Sequence, residues 1–110
     1  MKGRPLAAFA VLLALALVEA AGQQPGGTPF PPEQMRKGAE LYELHCSACH
    51  GVRLANPEWA PVDLRRFPPA ERARFVDTVT YGVRTMPPWG DLLKPDDIES
   101  LWAYVMAGER

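Results

Sequence analysis

Apolar residues follow two regimes along this chain. From Leu6 to Val18 they run without interruption, thirteen residues of Leu, Ala, Val and Phe. That is shorter than the ~20 residues a spanning helix needs. Lys2 and Arg4 precede the run, and Val18-Glu19-Ala20 follows it. A basic start, a short apolar stretch and small closing residues predict a secretory signal over residues 1–20, cleaved after Ala20. An uncleaved anchor is the competing reading. The stretch 21–32 holds Gln23 to Pro32, rich in Gly and Pro and without periodicity, and reads as a flexible leader.

From residue 33 onward the spacing becomes helical. Gly38, Leu41, Tyr42 and His45 or Cys46 share one face of a helix predicted over Glu33 to Cys46. Pro31 and Pro32 suit its entry, and Glu33 suits the dipole of its first turn. Gly38 costs about 1 kcal/mol against Ala inside a helix, so a close crossing by another helix is expected there. Gly51 to Pro69 is irregular and punctuated by Pro57, Pro61, Pro68 and Pro69. Its Leu54, Trp59, Val62, Leu64 and Phe67 imply that the loop packs on something. Pro69 to Tyr81 predicts a short helix with Phe75, Val76 and Val79 inward, stopped by Gly82. Val83 to Lys94 is again irregular. The last helix begins with Pro95 at its first position and Asp96, Asp97 and Glu99 in its first turn. Leu93 and Ile98 form a hydrophobic staple, Leu101, Trp102, Tyr104 and Val105 form the apolar face, and Gly108 ends it. No segment reads as a strand. The expected fold is all-α with long loops, one domain over residues 33–110.

Composition narrows the chemistry. The chain has 110 residues. A domain of under ~90 residues buries a small core and often relies on a metal, a disulfide or a cofactor to hold it. Without residues 1–20, ten basic and twelve acidic residues remain, a net charge of −2 (10 − 12). No basic stripe appears, which argues against a nucleic-acid partner.

Both cysteines and both histidines of the chain fall within His45-Cys46-Ser47-Ala48-Cys49-His50. C-x-x-C-H is the attachment pattern of a c-type haem. Two thiols one helical turn apart face the same way and can add to the two vinyl groups on one side of a porphyrin. His50 follows directly and can reach the iron. A zinc site would want four ligands spread around a tetrahedron, and these six residues are too crowded for one. A Cys46–Cys49 disulfide would close a tiny loop and stabilise little. A thioredoxin-like pair would want a preceding strand, and none is visible.

A low-spin electron carrier needs a second axial ligand, and Met is the expected type because its soft thioether favours ferrous iron. Met35 and Met106 lie on helices in core-like settings. Met86 lies in the loop between two helices and is followed by Pro87 and Pro88, which stiffen the backbone around it. Met86 is therefore the candidate ligand. His45 adjoins Cys46 too closely to reach the other haem face and reads as a partly exposed residue without a special role.

Three blocks resemble the small class I monohaem cytochromes c: Gly38-x-x-x-Tyr42-x-x-x-Cys46-Ser47-Ala48-Cys49-His50-Gly51; Tyr81-Gly82-x-x-x-Met86-Pro87; and Leu101-Trp102-Ala103-Tyr104. The resemblance implies a small cytochrome c fold of three to four helices wrapped around one covalent haem. It implies that Gly38 and Tyr42 cross Leu101 and Tyr104. It also implies that the Pro61 carbonyl accepts a hydrogen bond from the His50 ring and that Leu64 lines the pocket. Trp59, Arg65, Arg66 and Arg84 lie beyond the matched motifs and are weaker candidates to meet the propionates. Met86-Pro87-Pro88-Trp89-Gly90 and the last helix look like cytochromes that serve quinoprotein dehydrogenases, and like the haem domains of cbb3-type oxidases.

The expected function is a soluble periplasmic carrier of single electrons. Its partners would be a donor dehydrogenase or quinol-oxidising complex and an acceptor oxidase. No catalytic dyad is visible, so no substrate chemistry is expected. Two other classes stay open: a haem subunit permanently docked on a larger complex, and a gas sensor or peroxidase with an open iron site.

Overall fold

A computed structural model describes residues 29–60 and 62–108. The expected signal over 1–20, most of the leader and Pro61 lie outside the described residues. Four helices form: α1 (Pro32–His45), α2 (Ser47–His50), α3 (Arg72–Tyr81) and α4 (Pro95–Ala107). Short 3₁₀ turns occur at Val52–Leu54, Leu64–Arg66 and Pro69–Glu71. Among the described residues there is no strand, only an isolated antiparallel bridge between Val83 and Met86. The all-α expectation stands.

The first and last helices make the central contact. Gly38 explains why they can. A Cβ on Gly38 would lie 1.9 Å from the Ser100 carbonyl oxygen and 2.9 Å from Tyr104 Cβ. The helices therefore meet backbone to backbone, and the residue facing Gly38 is Ser100. One turn on, the Tyr42 and Tyr104 rings lie 5.2 Å apart at 47°. Lys37 adds an ion pair to Asp97 at 2.8 Å. Asp97 also accepts from the Lys94 backbone N–H at 2.9 Å, closing the start of α4. These donors hold its carboxyl below the usual carboxylate range, the Lys37 bond foremost.

The remaining core is aromatic. Phe67 meets Phe75 and Trp102 edge-on at 5.6 and 6.0 Å, and Phe75 lies 5.2 Å from Trp102. Such pairs contribute roughly 0.5–1.5 kcal/mol beyond their buried area. The Arg74 guanidinium sits 4.4 Å over the Phe67 ring. Leu93 and Ile98 are both buried, as their staple requires. The expected start of α3 at Pro69 is corrected: Pro69–Glu71 is a 3₁₀ turn, and Glu71, at φ −108° and ψ 39°, separates it from α3.

The turn after α2 opens on Gly51, at φ 89°, and then holds two residues that are not glycine in left-handed backbone. Arg53 and Leu54 take φ of 53° and 64°. Leu54 is fully buried, so its packing holds the conformation. Arg53 is exposed, and its backbone N–H donates to Glu43 Oε1 at 3.3 Å. Left-handed backbone costs an L residue roughly 1–2 kcal/mol, and glycine returns part of that as unfolded-state entropy. Arg53→Gly is expected to stabilise the protein by about 0.5 kcal/mol in urea denaturation. A loss of stability would show that the Arg53 side chain contributes more than its backbone costs.

Candidate haem site

α1 delivers Cys46, and α2 is itself the attachment turn. Ser47 to His50 forms one helical turn, with the His50 and Gly51 backbone N–H groups donating to the Cys46 and Ser47 carbonyls at 2.9 and 2.8 Å. Cys46 and Cys49 are both free thiols, Cys46 half-buried and Cys49 exposed. The Tyr42 hydroxyl locks the turn from below by donating to the Gly51 carbonyl at 2.6 Å. Burial pushes this hydroxyl well above the usual phenol range, so it remains a donor.

The thiols open onto a cavity of about 390 Å³, within the range of cofactor sites. Its floor is Tyr42, Leu101 and Val105, where α1 crosses α4. Phe75, Thr78 and Val79 of α3 form another wall, and Trp59, Ala60, Val62, Leu64 and Phe67 come from the long loop. The segment Val83 to Pro87, with Trp89, closes it. Cys46, Cys49, His50, Leu64 and Met86 thus all reach one cavity. Of the weaker candidates, Trp59 and Arg84 also line it. Arg65 is engaged with Asp63, to which it donates at 2.9 and 2.8 Å, and Arg66 lines an adjoining surface groove that shares Val62 and Phe67 with the cavity.

Two observations show that the cavity suits a large flat apolar group with a metal. Trp59 and Val62 are 69% and 42% exposed, yet both point their apolar surface into the cavity. The loop therefore does not pack on protein at these positions, and a bound porphyrin would supply the missing surface. His50 lines the same cavity as the two cysteines. Burial also pushes the His50 imidazole below its usual range, favouring the neutral form that a metal needs. The Cys46 thiol is pushed up to about 11, by burial first and then by Cys49.

Met86 is held on a short, tied loop. Gly82, at φ 77°, ends α3, and a Cβ there would lie 2.6 Å from the Met86 carbonyl oxygen. Val83 and Met86 exchange backbone hydrogen bonds of 3.1 and 2.9 Å across a tight turn containing Arg84 at φ 50°. Past the two prolines, the Trp89 and Gly90 N–H groups donate to the Val79 and Thr80 carbonyls at 2.9 and 3.0 Å. The sequence reading missed several members of the cavity, among them Arg74, Thr78 and His45. Arg74 and Thr78 lie on the inward side of α3, each one residue before an apolar position, Phe75 and Val79. His45 is not an idle surface residue: it is half-buried, lines the cavity and stacks on Trp89 with ring centroids 5.2 Å apart.

Residues 33–105 match the family described as cytochrome c oxidase, cbb3-type, subunit III. The chain belongs to the class I cytochrome c family. Cytochrome c55X of Pseudomonas aeruginosa is 38% identical over 114 residues, covering 96% of this chain and 92% of that protein. The quinohemoprotein alcohol dehydrogenase ADH IIB of Pseudomonas putida is 38% identical over 81 residues, 71% of this chain and 12% of that protein. The cbb3-type cytochrome c oxidase subunit FixP of Azorhizobium caulinodans is 35% identical over 89 residues, 76% of this chain and 29% of that protein. The chain thus spans less than a third of these two longer relatives. This cytochrome c carries a covalent haem c with iron as its cofactor. Among the described residues, no helix is long and apolar enough to cross a membrane.

Proposed function

We propose that this cytochrome c is an exported, soluble one-electron carrier with His50 and Met86 as the axial ligands of its haem. The observation that carries the reading is the convergence of Cys46, Cys49, His50 and Met86, from three separate elements, on one apolar cavity. Cys46 and Cys49 hold the edge of the porphyrin through thioether bonds. His50 would hold the iron as a neutral imidazole, and the Pro61 carbonyl would accept from its other ring nitrogen, a bond that would fix the ring orientation. Leu64, with Trp59 and Val62, keeps water from the haem face. Arg84 gives the cavity positive charge beside the propionates, whereas the Arg74 guanidinium is paired with Glu71 at 2.8 and 3.2 Å.

When bound, the haem supplies an iron that accepts one electron from a donor and passes one to an acceptor. The chain's own part would be to keep His50 and Met86 in place, so that the transfer needs no bond made or broken. Residues 1–20 act as a cleaved export signal, 21–32 as a leader and 33–110 as the haem domain, which sets the site of action in the periplasm. The donor is a dehydrogenase or quinol-oxidising complex, and the acceptor is an oxidase. The dehydrogenase and oxidase names among the relatives support that pairing. They also support a second reading, a haem subunit permanently docked to such a complex. The near full-length likeness to cytochrome c55X favours the free carrier.

Potentiometric titration of the purified holoprotein tests the proposal. A reversible couple with a one-electron slope, on a chain whose N-terminus is Ala21, is expected. An irreversible couple would sink the carrier reading. A retained Met1 in membrane fractions would favour the docked subunit.

A further inference from the structure

We propose that His45 is a positioning residue for the Met86 loop: its ring, stacked on Trp89, latches that loop to the helix that carries the haem-attachment cysteines. The inference rests on the axial role proposed for Met86 and deepens it. The loop's backbone anchors lead to the end of α3 and, through the Trp89 carbonyl, which accepts from the Leu92 and Leu93 N–H groups at 3.0 and 2.8 Å, to the entry of α4. Trp89 and Gly90 bond to the Val79 and Thr80 carbonyls at the end of α3, and Val83 and Met86 bond to each other. Pro87 and Pro88 lie between these anchors and have no N–H to give. None of these backbone bonds reaches α1 or α2.

The His45–Trp89 contact works differently. It joins the two sides of the cavity, with centroids 5.2 Å apart and planes tilted by 50°. Both rings also line the cavity. His45 is the residue before Cys46, so its backbone is fixed by the attachment turn. Trp89 is three residues after Met86 and hydrogen-bonded at its own N–H. Opening the loop far enough to free the methionine sulfur must separate these rings. The ring contact therefore biases the equilibrium between loop-closed and loop-open states toward closed.

The affinity of added imidazole for the ferric holoprotein reads that equilibrium, because imidazole competes with Met86 for iron. His45→Ala is expected to tighten apparent imidazole binding about three- to tenfold, the range set by one aromatic contact. It should also speed amide exchange at Trp89 and Gly90. His45→Phe keeps a ring and should stay within about twofold of the parent, which a general loss of stability would not predict. Unchanged imidazole affinity in His45→Ala would overturn the latch, provided that Met86→Ala raises that affinity sharply. If Met86→Ala also leaves it unchanged, the axial assignment of Met86 fails instead.

Discussion

Replacing Met86 with Ala is expected to lower the reduction potential of the holoprotein by at least about 0.1 V, within the ~0.8 V that axial ligation spans. A thioether stabilises ferrous iron, and water or an open position does not. The weak near-infrared thioether-to-iron band of the ferric protein should vanish at the same time. The fold should survive, because Met86 is only half-buried and its backbone bonds to Val83 do not involve the side chain. Voltammetry and the oxidised spectrum, measured on variant and parent, check both effects. A parent without the band, or a variant with an unmoved potential, would exclude Met86 as a ligand and return the site to the open-iron class.

Gly38→Ala should cause the largest loss of stability of any single methyl group added to the chain. The new Cβ would sit 1.9 Å from the Ser100 oxygen and 2.7 Å from its carbonyl carbon. These are backbone atoms of a buried helix and cannot rotate aside. Both helices must separate, which also parts Tyr42 from Tyr104 and weakens the cavity floor. Overpacking usually costs 1–3 kcal/mol, so a loss of about 3 kcal/mol is expected here, with the thermal midpoint lowered by roughly 12–24 °C. Thermal unfolding followed by circular dichroism would show it. A change below about 1 kcal/mol would mean that α1 and α4 do not meet at this glycine.

The helices were legible because their apolar spacing answers to protein packing. Leu101, Trp102, Tyr104 and Val105 are all buried, and Gly38 marks the crossing that its poor helix propensity foreshadows. The cavity lining was less legible for a related reason. Trp59 and Val62 lie in a loop with no period, and their partner is a cofactor rather than another stretch of sequence. Arg74 and Thr78 are polar residues on an inward side, which a hydrophobic pattern cannot find. His45 offered no spacing signal, since its role depends on where Trp89 returns in space. The left-handed positions Arg53 and Leu54 are not glycines, so composition could not announce them.

The contact between Gly38 and Ser100 also governs when this protein can fold. The two residues are 62 positions apart (100 − 38), so the first helix must wait for the last. Closing so long a loop is slow and entropically costly, and α1 alone is a poor helix with a glycine in its middle. During synthesis, which runs from the N-terminus, Cys46 and Cys49 emerge well before α4 does. Until Leu101 and Tyr104 arrive, nothing can bury the Cys46 thiol or harden its surroundings. The crossing thus acts as a timer: it leaves the thiols open to chemistry while the chain is incomplete and shuts the domain around them only once α4 has been made.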